Sequence, residues 1–344
     1  MAILTPRPTR RAFVRGSAAA LGAGALAAGP FARAVAQDDF PSRNMSVVVP
    51  TREGGGADRL LRGVTGVWRK HLGASFEAEF YPGASGRVGY ETYLGRKEAN
   101  CYNLLFGNMG PETIMYVLQE PDYQFPGDYV YFGRTDVDPS IIWVRADSPF
   151  QSIQDLVEEG KRRAITVAVS RLPHPASIGA LALGEATGAQ FQLVPYGGGN
   201  PTMAATLTGE VDCSALPSGG ITALGDQVRI LLVFDDVNPL TGEFAEVPVV
   251  NEEFGLDLPA LVSARAFGIH AKAIEDYPDR FAKLNETLEA TFDDPELQPA
   301  MEQAGQPWDL VRYGDQEACM DYALRTMELA ERFKPLLTGQ PDDD

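Results

Sequence analysis

Four glycine- or proline-rich turns hold the residues of this chain that are best suited to ligand binding. The first, residues 50–58, has three consecutive glycines between a predicted strand and a predicted helix. Glycine lets the backbone approach a ligand closely, and the free N–H groups at a helix start favour an anion. The other three turns, at residues 81–86, 170–176 and 194–200, also follow predicted strands. The four turns therefore predict one anionic ligand, held by backbone N–H groups and hydroxyls.

Catalysis is the main alternative to binding, and the sequence offers few side chains for it. The candidate bases are His71, His174 and His270. A triad of Ser170, His174 and Asp212 could be written, but Ser170 does not lie in a G-x-S-x-G elbow. No H-E-x-x-H or comparable metal motif occurs. The residues therefore favour a binding protein that is not an enzyme and that has no metal or cofactor.

The first 36 residues have the pattern of an export signal. Residues 9–15, Thr-Arg-Arg-Ala-Phe-Val-Arg, form a twin-arginine box, and an uncharged run rich in alanine and glycine covers residues 17–29. Residues 34–36 offer small side chains to a signal peptidase, and the run is too short to span a bilayer. We expect export by the twin-arginine route, cleavage near Ala36 and residence in the periplasm. A basic tail without a targeting role is the alternative.

The composition limits the partners of the mature chain. The net charge of −18 becomes −23 when the five arginines of the leader are removed. Such a charge disfavours non-specific binding to nucleic acid or to anionic lipid. Cys101, Cys213 and Cys319 lie far apart without a CxxC spacing, which indicates neither a disulfide framework nor a zinc site.

Strand and helix patterns alternate from residue 45 to residue 268, which indicates an α/β fold with largely parallel sheets. From residue 271 onward the pattern is helical. Removal of residues 1–36 leaves 308 of the 344 residues, enough for two α/β lobes, and no linker separates them. We expect two crossing strands to join the lobes and a ligand cleft to lie between them, beyond the carboxyl ends of the strands.

Five short motifs follow one another in a specific order along the mature chain. They are Val-Pro with Gly-Gly-Gly-Ala-Asp at 49–58, Pro-Gly-Ala-Ser-Gly at 82–86, Val-Pro-Tyr-Gly-Gly at 194–198, Leu-Thr-Gly-Glu-Val-Asp at 207–212, and Val-Pro with Asn-Glu-Glu-Phe-Gly at 247–255. With them the chain resembles the extracytoplasmic solute receptors of tripartite tricarboxylate transporters. The resemblance covers almost the whole mature chain.

The resemblance implies a type II periplasmic-binding-protein fold of two α/β lobes with a ligand cleft between them. Domain 1 would comprise residues 37–144 and 263–344, and domain 2 residues 145–262. A monomeric receptor of this kind would bind a small organic acid and deliver it to a permease of one large and one small membrane subunit. A periplasmic sensing subunit for a membrane kinase would use the same fold and pocket, so that alternative stays open.

The resemblance also implies that backbone donors of the two domain-1 turns hold a ligand carboxylate, while domain 2 lines the other side of the cleft. The expected ligand-binding residues are Gly55, Gly56, Ala57, Asp58, Ala84, Ser85 and Gly86 in domain 1, and Ser170, Arg171, Tyr196, Gly197 and Asp212 in domain 2.

Several residues depart from the family pattern or suit a carboxylate site poorly. Arg52 would attract a carboxylate and Glu53 would repel one, so we expect Glu53 to point to solvent. Arg171 could clamp a second carboxylate or could be a solvated loop arginine. Asp212 would have to accept from a ligand hydroxyl or amine, or else cap backbone. Aromatic acids, C4-dicarboxylates, citrate and amino acids all remain possible ligands.

Overall fold

Strands and helices alternate along residues 39–338, which are the part of the chain that the computed structural model describes. The strands are β1 Met45–Val49, β2 Phe76–Phe80, β3 Asn103–Asn108, β4 Tyr129–Asp136, β5 Asp138–Arg145, β6 Ile165–Val169, β7 Phe191–Pro195, β8 Cys213–Pro217, β9 Val228–Phe234, β10 Val262–Ser263, β11 Arg265–His270 and β12 Val311–Gly314. The helices are α1 Gly56–Leu72, α2 Arg87–Arg96, α3 Met109–Gln119, α4 Ile153–Gly160, α5 Pro175–Thr187, α6 Gly199–Leu207, α7 Val250–Phe254, α8 Ala271–Asp276, α9 Pro278–Phe292, α10 Leu297–Gln303 and α11 Gln316–Thr338. The predicted signal peptide, residues 1–36, lies outside the described residues.

The first sheet has the strand order β12-β4-β11-β3-β1-β2 and is covered by helices on both faces. Its strand β1 is parallel to β2 and β3. Successive side chains of a strand point to opposite faces, so an apolar run on β1 buries both sides. Val47 and Val49 pack with α1, α9 and α10, whereas Val48 packs with α2, α3 and α11.

Helix α1 forms because its apolar residues recur at helical spacing and because glycine ends it. Leu60, Val64 and Trp68 are fully buried on one face, whereas Lys70 is exposed on another. The helix stops at Gly73, which has a φ of 82°, and the Gly73 N–H closes the last turn on the Arg69 carbonyl. The buried face packs α1 into the core of the first sheet, and the helix begins at Gly56, at the end of the first glycine-rich turn.

The second sheet has the order β10-β5-β8-β6-β7, with β9 paired to β5. Strands β6, β7 and β8 are parallel, and β5 is antiparallel to β8 and β9. Helices α4 and α5 and the end of α11 pack into one core against this sheet. The two sheets with their helices confirm the predicted α/β class.

The chain passes from one sheet to the other at two single residues. Val137 separates β4 in the first sheet from β5 in the second, and Ala264 separates β10 in the second from β11 in the first. The domain bounds that the family resemblance implies put the first boundary after residue 144, at the end of β5. The pairing of β5 assigns all of it to the second sheet.

The packing of α2 against the first turn gives a test of the fold. A Cβ at Gly89 would stand 2.5 Å from Pro50 Cβ and 2.7 Å from Pro50 Cα. Gly89→Ala must therefore push the helix and the turn apart, and we expect it to lose about 1–3 kcal/mol of unfolding free energy. Gly95→Ala, on the same helix in open space, should be neutral or gain up to about 1 kcal/mol. Urea unfolding measures both, and equal stability of the two variants would contradict this packing.

Candidate functional site

One cleft receives all four of the turns that the sequence singles out. It has a volume of about 880 Å³ and lies where β1, β2, β6 and β7 end. Nine of the expected ligand-binding residues line it: Gly55, Gly56, Ala57, Ala84, Ser85, Gly86, Ser170, Arg171 and Gly197. The other three, Asp58, Tyr196 and Asp212, lie elsewhere.

The first turn leaves the start of α1 open towards the cleft. Gly55 occupies the N-cap position, and no side chain among residues 39–338 caps the helix there. Asp58, expected to bind the ligand, lies two residues inside the helix and is buried. Its carboxylate accepts from the Gly54 N–H at 2.8 Å and from Arg62 Nε at 2.6 Å. Asp58 thus stabilises the turn and does not line the cleft. The N–H groups of the first helical turn are left without a side-chain acceptor from residues 39–338, at a point where the turn lines the cleft.

The second turn holds two non-glycine residues in the left-handed region, with φ of 45° at Ala84 and 58° at Ser85. Such a backbone is strained and needs outside support. Gln119 Nε2 donates to the Ala84 carbonyl at 3.3 Å, and Arg171 Nη1 donates to the Ser85 carbonyl at 2.7 Å. Gly86 also has a positive φ, of 111°, and a Cβ there would stand 3.0 Å from Glu112 Cγ. Residues from both lobes therefore stabilise the conformation of this turn, because Arg171 follows β6 of the second sheet.

Arg171 is not a solvated loop arginine, because its guanidinium contacts the Ser85 carbonyl and Glu112, and a clamp on a ligand carboxylate stays a prediction. Its Nη2 lies 3.4 Å from Glu112 Oε1, and this carboxylate is fully buried. Burial raises the pKa of Glu112 to about 7, against the lowering effect of Arg171. The sequence did not single out Glu112, because it lies within an ordinary helix pattern and its partner is 59 residues away.

His174 has a structural role in the third turn. Its Nδ1 accepts from the Ala176 N–H at 3.0 Å and so caps α5, and its Nε2 lies 3.3 Å from Ser263 Oγ. Burial lowers the pKa of this imidazole well below its usual range, and the nearby guanidinium groups of Arg171 and Arg265 add to that effect. A neutral, capping histidine satisfies the helix start without acting as a base.

Asp212 and Tyr196 were expected in the cleft, and the structure places both outside it. Asp212 precedes β8, at the amino end of the sheet, where it accepts from the Thr166 N–H and hydroxyl at 2.8 Å each and pairs with Arg163. Because the cleft lies at the carboxyl ends of the parallel strands, Asp212 can contact neither a ligand there nor His174. Tyr196 packs beside Ala205, and its hydroxyl donates to Glu210 Oε1 at 2.9 Å.

Basic groups outnumber acidic ones around the cleft. The charged residues of its lining are Arg52, Arg59, Arg171, Arg265, Glu53 and Asp138. Glu53 lies exposed at the rim, where its carboxylate accepts from Arg62 at 3.1 Å. The cleft therefore opposes the net charge of the chain and favours an anion.

A buried charge cluster at the crossing between the sheets, which we call the floor, reaches the cleft through Asp138 and Arg265. The Arg265 N–H donates to Asp136 Oδ1 at 2.8 Å, and the guanidinium pairs with the same carboxylate. Asp138 Oδ1 accepts from Ser218 Oγ at 2.9 Å and from the Gly219 N–H at 3.0 Å. Burial raises the pKa of Asp136 to about 6. The sequence missed this cluster, because 129 residues separate Asp136 from Arg265.

Other chemistries find no support among residues 39–338. No group of three or more His, Cys, Asp or Glu side chains in this range could hold a metal ion. Cys213 and Cys319 are buried, and burial raises the pKa of both thiols, so neither is a reactive nucleophile. No helix within the same range is long and apolar enough to cross a membrane.

The fold and the family follow from comparison with known proteins. Solved structures with the same architecture include solute-binding and periplasmic binding proteins, which confirms the predicted fold class of two-lobed receptors. The family model described as "Tripartite tricarboxylate transporter family receptor" matches residues 60–323. The chain therefore belongs to this family of periplasmic receptors, and the prediction of a receptor rather than an enzyme is confirmed.

Individual relatives are distant. A protein of Agrobacterium vitis, from the TAR-I ttuE-ttuC' intergenic region, is 30% identical over 185 residues, and the matched part is 52% of each protein. The chain thus spans about half the length of that relative. An R. palustris structure with adipate has a TM-score of 0.73 at 20% identity and covers 88% of this chain and 99% of its own. MatC from Rhodopseudomonas palustris, with bound malate, has a TM-score of 0.69 at 21% identity. The match covers 87% of this chain and 100% of MatC.

The buried Glu112 gives a pH test of the site. Its pKa rises from 4.5 to about 7 on burial, so the folded chain binds this proton more tightly than the unfolded chain does. The stability contribution of Glu112 therefore falls as the pH rises from about 4.5 to about 7. Glu112→Gln removes this titration, and we expect a smaller drop in melting temperature between pH 5 and pH 7.5 than in the unmodified protein. Circular dichroism melts measure the slopes.

A matched control is Glu302→Gln, which changes an exposed glutamate near the end of α10. This variant should keep the pH slope of the unmodified protein. The Glu112 account is contradicted if Glu112→Gln also keeps that slope.

Proposed function

We propose that this chain captures a small organic acid in the periplasm and delivers it to a membrane permease. The observation that carries this proposal is the convergence of uncapped helix starts and arginines on one cleft between the two sheets. N–H groups at helix starts and guanidinium groups are the donors that carboxylates prefer in proteins. The adipate and malate in two structural neighbours of this fold are dicarboxylates, which agrees with such a ligand.

The proposed binding site joins two lobes. We assign residues 37–144 and 263–344 to domain 1 and residues 145–262 to domain 2, and the pairing of β5 favours moving the first boundary back to Val137. The ligand would contact the nine expected residues that line the cleft. Its carboxylate would accept from the N–H groups around Gly56 and Gly86 of domain 1, with Ser170 and Gly197 of domain 2 on the opposite wall.

The proposed transport cycle needs partners beyond this chain. Closure of the two lobes on the ligand, in the manner of a Venus flytrap, would present a new surface to the membrane subunits. Those subunits would be the large and small components of a tripartite tricarboxylate permease, and the receptor would act as a monomer. The twin-arginine box at residues 9–15 supports export in the folded state, followed by cleavage near Ala36.

A thermal-shift screen of the mature chain tests this function. The panel contains dicarboxylates, tricarboxylates, aromatic acids and amino acids, applied after partial unfolding has removed any bound ligand. An acid at about 100 times its Kd should stabilise the protein by roughly 2.7 kcal/mol, which is a shift of a few degrees. A flat response to every acid would contradict the proposal.

Two glycine variants of α1 show whether the shift comes from the cleft. Gly56→Val puts a side chain at the helix start, where the nearest atom to a new Cβ is Arg265 Nη2 at 3.5 Å. It should abolish the ligand-induced shift, because the side chain occupies the space of the ligand carboxylate. Gly66→Val lies on the same helix in open space and should keep the shift. A full shift in Gly56→Val would place the ligand elsewhere.

A further inference from the structure

The floor of the cleft carries more negative charge than positive, in contrast to the cleft lining as a whole. Asp136, Asp138 and Arg265 are all buried there, so two carboxylates share one guanidinium. At the first turn, the lining includes the uncapped N–H groups of α1 together with Arg52 and Arg59. The cleft is therefore polarised, with donors around the first two turns and a surplus of acceptors at the floor.

Asp138 Oδ2 is the carboxylate oxygen of the floor that has the weakest partners. Both oxygens of Asp136 are engaged by Arg265, and Asp138 Oδ1 accepts from Ser218 and Gly219. Within residues 39–338, the hydrogen bonds of Asp138 Oδ2 are two contacts of 3.4 Å each to the Arg265 guanidinium. Charge-assisted hydrogen bonds between nitrogen and a carboxylate are normally about 2.7–2.9 Å long. Asp138 lines the cleft, so a ligand donor can reach this residue.

Two further polar atoms in the lining have no hydrogen-bond partner among residues 39–338. Asn108 is the antiparallel neighbour of Arg265 in the first sheet, and its buried Oδ1 accepts no hydrogen bond from this part of the chain. Thr51 Oγ1, in the first turn, is the second such atom, and this hydroxyl can either donate or accept. Both residues line the cleft with Asp138. Buried polar atoms normally have a partner, so the Asn108 amide oxygen points to a ligand that brings a hydrogen-bond donor.

We infer that the ligand of this receptor is an amino acid, whose ammonium group binds at Asp138 and Asn108 while its carboxylate binds at the starts of α1 and α2. This inference rests on the proposed function and narrows its ligand class. An ammonium group supplies three donors and one positive charge, which balances the floor. A second ligand carboxylate at the same place would be repelled by the Asp138 carboxylate. A ligand hydroxyl would donate one neutral hydrogen bond, which is weaker than a hydrogen bond from a charged ammonium group.

Calorimetric titration with matched ligand pairs tests the inference. Each pair contains an amino acid and the same acid without its amino group: aspartate and succinate, glutamate and glutarate, phenylalanine and 3-phenylpropanoate. In the unmodified protein, the amino acid of at least one pair should bind about 10-fold or more tightly than the acid without the amino group. This ratio of dissociation constants is what one hydrogen bond to a charged group typically contributes.

The variant Asp138→Asn should bring the affinity ratio of that pair close to one, because it removes the charge that pairs with the ammonium. A purely structural role of Asp138 would weaken both members of the pair equally and leave the ratio unchanged. Asn108→Ala removes the second acceptor with little cost to the fold and should lower the same ratio, so the test survives if Asp138→Asn does not fold. Asp226→Asn removes one exposed carboxylate of the second lobe and should keep the ratio.

The possible failures can be told apart. If the acids without an amino group bind as tightly as the amino acids, or more tightly, the inference is overturned and the proposed function stands. An unchanged ratio in both Asp138→Asn and Asn108→Ala also overturns it. If no member of any pair binds, the proposed function fails and the inference fails with it.

Discussion

The unpaired N–H groups at helix starts are the constraint on which the rest of the site depends. An α/β sheet with parallel strands brings the starts of the following helices to one edge, and each start exposes up to four donors. His174 closes the start of α5 with its own side chain, whereas Gly55 and Gly198 leave α1 and α6 without a side-chain cap. The N–H groups of the uncapped starts are those that need a ligand or water, and both starts line the cleft.

The two lobes shape this site jointly. Arg171, which follows β6 of the second sheet, donates to the Ser85 carbonyl and so supports a strained turn of the first lobe. Arg265 lies where the chain crosses between the sheets, and its guanidinium pairs with Asp136 of the first sheet and Asp138 of the second. Relative movement of the lobes must therefore change the environment of both arginines.

Local patterns were enough to predict the fold class and the four turns, because strand and helix periods and glycine runs are read from neighbouring residues. The topology then places the turns at one edge. Asp58 lies inside α1 because the helix begins at Gly56. Asp212 was expected in the cleft from the family resemblance, but it directly precedes β8 and so lies at the amino end of that strand. Contacts such as those of Glu112 and Asp138 could not be predicted, since their partners are 59 and 127 residues away.

The most direct test of the account is a nuclear magnetic resonance titration of glycine-labelled mature protein with the acid that gives the largest thermal shift. Glycine amides sample both walls of the cleft as well as distant helices. The account predicts that the amide signals of Gly55, Gly56, Gly86 and Gly197 move together and saturate at one equivalent, while Gly66 and Gly95 stay unchanged. Shifts confined to glycines outside the cleft, or to one lobe alone, would contradict a ligand held between the two lobes.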